Sequence, residues 1–98
     1  MIDRHEAWAQ ARGWRKIVSG IWFYDGIVPR PITIWAKPAS DSSTRYDDDD
    51  QLDPARPIPV TKDGFLYCSV PGHGEFLTVE EAKANADAQP WGPVKWDE

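Results

Sequence analysis

Tryptophan at positions 8, 14, 22, 35, 91 and 96 is the feature that most restricts how this chain folds. A buried tryptophan removes roughly 150–250 Å² from water, as much as several small aliphatic side chains. The chain needs that area. It has 98 residues and one cysteine, so no disulfide joins two of its own positions. A long internal stretch is also made of residues that do not build a core. Residues 38–59 hold Pro38, Ser40, Asp41, Ser42, Ser43, the run Asp47, Asp48, Asp49 and Asp50, and then Asp53, Pro54, Pro57 and Pro59. The stretch reads as a flexible acidic and proline-rich loop inside a single domain spanning residues 1–98. What is left is a small core, which supplies only ~3–5 kcal/mol without staples. Trp8, Trp14, Trp22, Trp91 and Trp96 are therefore assigned to packing. Trp35, beside the acidic loop, is the one read as available to a ligand.

Charge is distributed as unevenly as tryptophan. The net charge of −5 is carried by residues 41–53, with six Asp against one Arg. Elsewhere acids and bases balance, with a basic excess before residue 40 and an acidic one after residue 54. Phosphate binding by bulk attraction needs clustered Lys and Arg to displace counterions, so a nucleic-acid partner is disfavoured. No apolar run approaches the ~18 residues that cross a bilayer, so no membrane association is expected. The first residues include acids where a secretory leader has a basic start and an apolar stretch. A cytoplasmic location follows as the expectation, and a lone thiol agrees with a reducing compartment.

Local signals outline the elements. Asp3 followed by Glu6 is a capping-box pair, and Gly13 suits a left-handed helix end, which predicts a helix over residues 4–12 with Ala7, Trp8 and Ala11 as its apolar stripe. Residues 16–24 are rich in β-branched and aromatic side chains and run into Asp25-Gly26, a pair suited to a two-residue turn. The returning strand begins at Ile27, and Pro29 and Pro31 place it at a sheet edge or bulge, with Gly20 as a matching bulge. Pro57, Pro59 and Val60 suggest one arm of a second hairpin. Its other arm, residues 65–70, has the character of a central strand. Thr78 and Glu81 cap a second helix that Pro90 stops near Ala88, with Val79, Ala82 and Ala86 on one face. The tail from Trp91 to Trp96 is expected to fold back on the body, because two tryptophans in a loose tail would form an ownerless apolar patch. The predicted fold is α+β: a small, mostly antiparallel sheet of three to four strands flanked by an N-terminal and a C-terminal helix.

Few residues point to chemistry. The Asp47, Asp48, Asp49 and Asp50 run lacks the glycine at position six and the glutamate at position twelve of a calcium loop, in either register tried. Gly72-His73-Gly74 lacks the third glycine and the βαβ setting of a dinucleotide-binding turn. Cys68, His73 and Glu75 form the only candidate catalytic group, a thiol with a base, but Cys68 sits where free cysteine is usually a small buried hydrophobe. One Cys and two His do not supply a closed zinc site, so no metal and no cofactor is expected. Trp35, Tyr24 or Trp22 on one sheet face would make a stacking platform for a sugar ring. Pro54, Ala55, Arg56 and Pro57 have the spacing of a proline-rich ligand for an aromatic groove. The leading functional expectation is a small non-enzymatic interaction module. It would present a sheet edge, Trp35 and the Asp47, Asp48, Asp49 and Asp50 cluster to a protein partner, one that a basic surface would suit. The alternative is a small-molecule or carbohydrate binder, or a small hydrolase, built around His73 and nearby aromatics.

Overall fold

The computed structural model describes residues 4–90 and 92–97. Its elements run α1 (Arg4–Ala11), β1 (Arg15–Tyr24), β2 (Val28–Pro38), two short 3-10 turns (Ala39–Asp41 and Ser43–Arg45), β3 (Phe65–Val70), α2 (Val79–Asp87) and β4 (Lys95–Trp96). The strands form one antiparallel sheet in the order β3-β2-β1-β4. This is the α+β architecture expected from the sequence. The proposed cap Asp3 and the packing role of Trp91 lie outside the described residues.

Gly13 ends α1 as predicted. With φ at +84° it lets Trp14 N–H donate to Ala9 at 2.9 Å and its own N–H donate to Gln10 at 3.1 Å. That pair of bonds satisfies the last carbonyls of the helix. The helix stripe is different from the predicted one: Ala7, Trp8 and Ala11 are exposed and Ala9 is fully buried. Trp14 is thereby brought back along the helix, its ring edge-on to Trp8 at 5.2 Å and to Trp35 at 6.3 Å.

At the β1–β2 hairpin Asp25 and Gly26 both take positive φ, 54° and 72°. Tyr24 pairs with Val28, so Ile27 belongs to a three-residue loop and not to the strand. The bulge in β1 lies between Lys16 and Val18 rather than at Gly20. Gly20 serves a different need: a β-carbon there would lie 2.7 Å from the Lys95 carbonyl oxygen and 2.9 Å from Val94 Cγ1. Its bare backbone is what lets the tail dock.

β2 is an interior strand, whereas its two prolines suggest an edge. Both observations are reconciled by register. β3 pairs with β2 only from Thr33 to Pro38, so residues 28–32 have β1 alone as a neighbour. Asp97 N–H donates to Ser19, so residues 19, 21 and 23 aim their backbone groups at the tail and residues 20, 22 and 24 aim theirs at β2. The partners of these last three are Ile32, Arg30 and Val28. Pro29 and Pro31 therefore turn their donor-less nitrogens toward the open side, where no hydrogen bond is lost. β3, in turn, is a terminal strand. Its outer side is covered by a bridge from Tyr67 to Phe76 with both bonds at 2.8 Å.

Strand alternation assigns the two faces. Trp35 and Cys68 look toward α1 and cluster with Ala9, Trp14 and Val70. Ile32 looks toward α2 and clusters with Ala86, Val94, Trp22 and Trp96. In α2, Thr78 Oγ1 accepts from Glu81 N–H at 3.1 Å and Glu81 accepts from Leu77 N–H at 3.2 Å. The tail returns as β4, which pairs with Gly20 and Ile21. No helix among the described residues is long and apolar enough to cross a membrane.

No strand forms over residues 57–60, and Val60 is 94% exposed. The second hairpin of the sequence reading is absent, because β3 finds its partner in β2. Ala39, Ser42 and Arg45 are buried, so packing continues to residue 45. Arg45 holds this segment by donating to Ser40 at 2.6 Å and to Arg56 at 3.2 Å through their carbonyls.

Candidate functional site

Trp35 is 2% exposed and packs against Ala9 and Cys68, so its ring belongs to the core. It also stands on the opposite side of the sheet from Trp22 and Tyr24, since Trp22 pairs with Arg30 and Trp35 differs from Arg30 in parity along β2. The single stacking platform of the sequence reading is thus split by alternation.

Asp47, Asp48, Asp49 and Asp50 are not an unstructured run. Asp47 Oδ1 accepts from the N–H groups of Asp49 at 2.9 Å and Gln51 at 3.0 Å, which folds the run into a tight turn. Asp48, Asp49 and Asp50 are exposed at its surface. No group of three His, Cys, Asp or Glu among the described residues is placed to hold a metal ion.

Cys68, His73 and Glu75 do not assemble into a reactive group. Cys68 is buried, and burial pushes its thiol above the ordinary range, with Lys37 opposing weakly. That disfavours the thiolate a nucleophile requires. Glu75 is committed elsewhere. It forms an ion pair with Lys37 and accepts from Ser42 Oγ at 2.6 Å and Ser43 N–H at 2.9 Å. Burial alone would raise its carboxyl, and the bonds from Lys37, Ser42 and Ser43 outweigh that and hold it below the usual range. His73 is exposed on its glycine turn, its carbonyl accepting from Asn85 at 3.2 Å.

Lys37, Ser42 and Asp41 carry no motif in the sequence, yet each is central to a buried or half-buried network. Asp41 accepts from Trp14 Nε1 at 2.7 Å, from Arg12 and from Tyr46. Burial works to raise the Asp41 carboxyl, and these donors keep it low. Arg12 lies over the Trp8 ring at 4.6 Å. The acidic stretch therefore contributes its first aspartate to holding α1 in place.

Among the described residues, an arrangement with the shape of a binding site lies at the hairpin end. A cleft of about 920 Å³ opens between Trp22, Phe23, Tyr24 and Asp25 on one side and Pro90, Pro93, Val94 and Lys95 on the other. A smaller cleft of about 360 Å³ lies over Thr33 and Trp35. Neither is lined by His73, Cys68 or Glu75. The larger cleft follows from the register. Extending the β1–β4 ladder beyond Ile21 and Lys95 would place Pro93 opposite Phe23, and Pro93 has no N–H to give. The tail leaves β1 there, and the walls separate. Trp22 and Tyr24 stand edge-to-face within the cleft, centroids 6.3 Å apart at 68°. The Trp-Phe-Tyr-Asp-Gly string was legible in the sequence; that Pro90 and Pro93, 64 and 67 residues after its glycine, would face it was not.

Around the cleft the hairpin leaves apolar surface open: Ile21 is 38% exposed, Phe23 44%, Tyr24 58%, Ile27 75% and Val28 42%. Strand alternation puts Ile21 and Phe23 on one face and Tyr24 and Val28 on the other, so the hairpin end is apolar on both sides. Exposed apolar surface gathered at one place is a usual mark of an interaction surface. No family model, curated protein or solved structure matches this chain.

Proposed function

We propose that this protein is a cytoplasmic, non-enzymatic interaction module that takes an extended segment of a protein partner at the hairpin end of its sheet. The observation that carries this reading is the aromatic and proline-lined cleft set inside an exposed apolar hairpin. Tyrosine and tryptophan in a partly enclosed position are the residue types on which binding energy concentrates. Phe23 aims its backbone N–H into the same space, since β4 covers only Gly20 and Ile21. Exposed Asp48, Asp49 and Asp50 give a basic partner a second, salt-sensitive contact, screened over ~8–10 Å at ordinary ionic strength.

Capture from native lysate at two salt concentrations tests both halves. Phe23→Asp and Tyr24→Asp are expected to abolish capture at either salt. Replacing Asp48, Asp49 and Asp50 by Asn is expected to weaken it at low salt only. Undiminished capture by the hairpin variants would refute the cleft, and an unchanged salt response would refute the acidic contact. A second reading rests on size: the cleft falls in the ~300–1,000 Å³ range of small-molecule sites, so a sugar or other ring stacked on Trp22 and Tyr24 is the alternative occupant. Ligand-observed NMR against a small carbohydrate set separates the two.

A further inference from the structure

We infer that the segment this cleft accepts is residues 57–60 of a second copy of the same chain, so that copies associate head to tail. The inference rests on the cleft being a peptide site, as proposed above, and adds the identity of the peptide. Its first support is chemical fit. Grooves walled by aromatic rings take proline-rich segments one X-Pro unit at a time, because the prolines preset an extended conformation and reduce the entropy lost on docking. The chain carries two consecutive units of this kind, Arg56-Pro57 and Ile58-Pro59. They lie in a stretch without helix or strand, with Ile58 54% and Val60 94% exposed. Those apolar side chains have little cover of their own.

Charge adds direction. Asp25 is exposed at the mouth of the cleft, and Lys62 is exposed just beyond Val60. Lys95 also lines the cleft, so residues 57–60 dock between the Trp22 and Tyr24 rings and the Pro93 wall in the direction that keeps Lys62 away from Lys95 and brings its ammonium toward the Asp25 carboxylate. Opposite charges facing across a contact fix its orientation as well as adding attraction.

Geometry then decides between one molecule and two. β2 runs 11 residues from the hairpin to Pro38, about 35 Å at the rise of an antiparallel strand. Phe65 pairs with Pro38 at the far end, and Val60 is five residues from Phe65, a reach of at most about 18 Å. Residues 57–60 therefore cannot reach the cleft of their own chain. Donor and acceptor sit at opposite poles of a body 45 Å long. A contact between unlike surfaces of this kind repeats without closing unless a rotation happens to close it, so association builds chains rather than a symmetric dimer.

Sedimentation across a range of protein concentrations tests the inference with two variants. Ile58→Asp/Val60→Asp spoils the donor segment, and Tyr24→Asp/Asp25→Lys spoils the cleft; both change exposed residues, and an unchanged amide NMR spectrum elsewhere verifies the fold. Wild type is expected to grow beyond a dimer as concentration rises. Each variant alone is expected to lose association by more than about tenfold. An equimolar mixture of the two is expected to give a dimer that grows no further, because it holds one intact cleft and one intact segment. A wild type that stays monomeric, a donor variant that associates like wild type, or a mixture that stays monomeric overturns the inference. A monomeric wild type whose Tyr24 and Asp25 resonances still shift with an unrelated proline-rich peptide overturns self-association alone. One that ignores such peptides as well overturns the peptide-site reading with it.

Discussion

Gly20→Ala is the most searching single change to make in this fold. The added β-carbon would stand 2.7 Å from the Lys95 carbonyl oxygen, 2.9 Å from Val94 Cγ1 and 3.0 Å from Trp96 Cε3. Two of these three are side-chain atoms; the nearest is backbone, and it belongs to the strand that pairs with Gly20 itself. The chain has two ways to relieve the clash. It can shift β4 while keeping it docked, an overpacking penalty of about 1–3 kcal/mol. Or it can release the tail, which forfeits at most the burial of Val94 and part of Trp96, about 1.5–3 kcal/mol for each side chain when fully buried, offset by the freedom the tail regains. Both routes lead to a loss of about 1–3 kcal/mol. Urea unfolding followed by tryptophan fluorescence measures it, and hydrogen exchange at Asp97, whose N–H is bonded to Ser19 at 2.8 Å, distinguishes shift from release. The decisive comparison is with a chain ending at Pro93. Without residues 94–98 the three nearest atoms are gone, so Gly20→Ala should cost far less there than in the full chain. An equal loss in the full and shortened chains would refute the docking argument.

Three further outcomes are expected. Trp35→Ala should cost about 3–5 kcal/mol, as for other large core truncations, while Trp8→Ala, 46% exposed in the wild type, should cost far less in the same urea titration. Lys37→Met leaves the half-buried Glu75 without its cation, though still bonded to Ser42 and Ser43, and should cost about 1–3 kcal/mol near pH 7. Because the Glu75 carboxyl is held low in the native protein, its contribution is present above the ordinary carboxylate range and is lost as pH falls through the depressed value. The Lys37→Met penalty should therefore shrink in urea titrations carried from pH 7 toward pH 3, and a penalty constant over that window would contradict it. Thr78→Ala removes the acceptor for Glu81 N–H and should cost about 1 kcal/mol, read as a lower unfolding midpoint with an unchanged slope.

What the amino-acid sequence determined by itself was whatever a few neighbouring residues decide. Gly13 ends α1, Asp25-Gly26 turns the hairpin, Thr78 and Glu81 start α2, and Pro90 stops it. Each depends on a local φ or on a donor within five residues. The return of the tail, with Trp96 partly buried against Ile32, Ala86 and Val94, also follows the expectation from the sequence. Pairing and exposure were decided only in three dimensions. Residues 65–70 have the composition of a central strand, yet whether β2 or residues 57–60 would pair with them depends on a loop closure no local pattern encodes. Trp35 looked available because it lies beside an acidic stretch, and it is buried because strand alternation turns it toward Ala9. Glu75 looked like a catalytic partner for His73, and a serine 33 positions away took it instead, together with Lys37. The cleft exists because Pro93 falls opposite Phe23, a coincidence of register between the two ends of the chain. Local residues set the turns and caps, and tertiary packing decided that Trp35 would be buried while Trp8 stayed exposed and Trp22 kept one side open to the cleft.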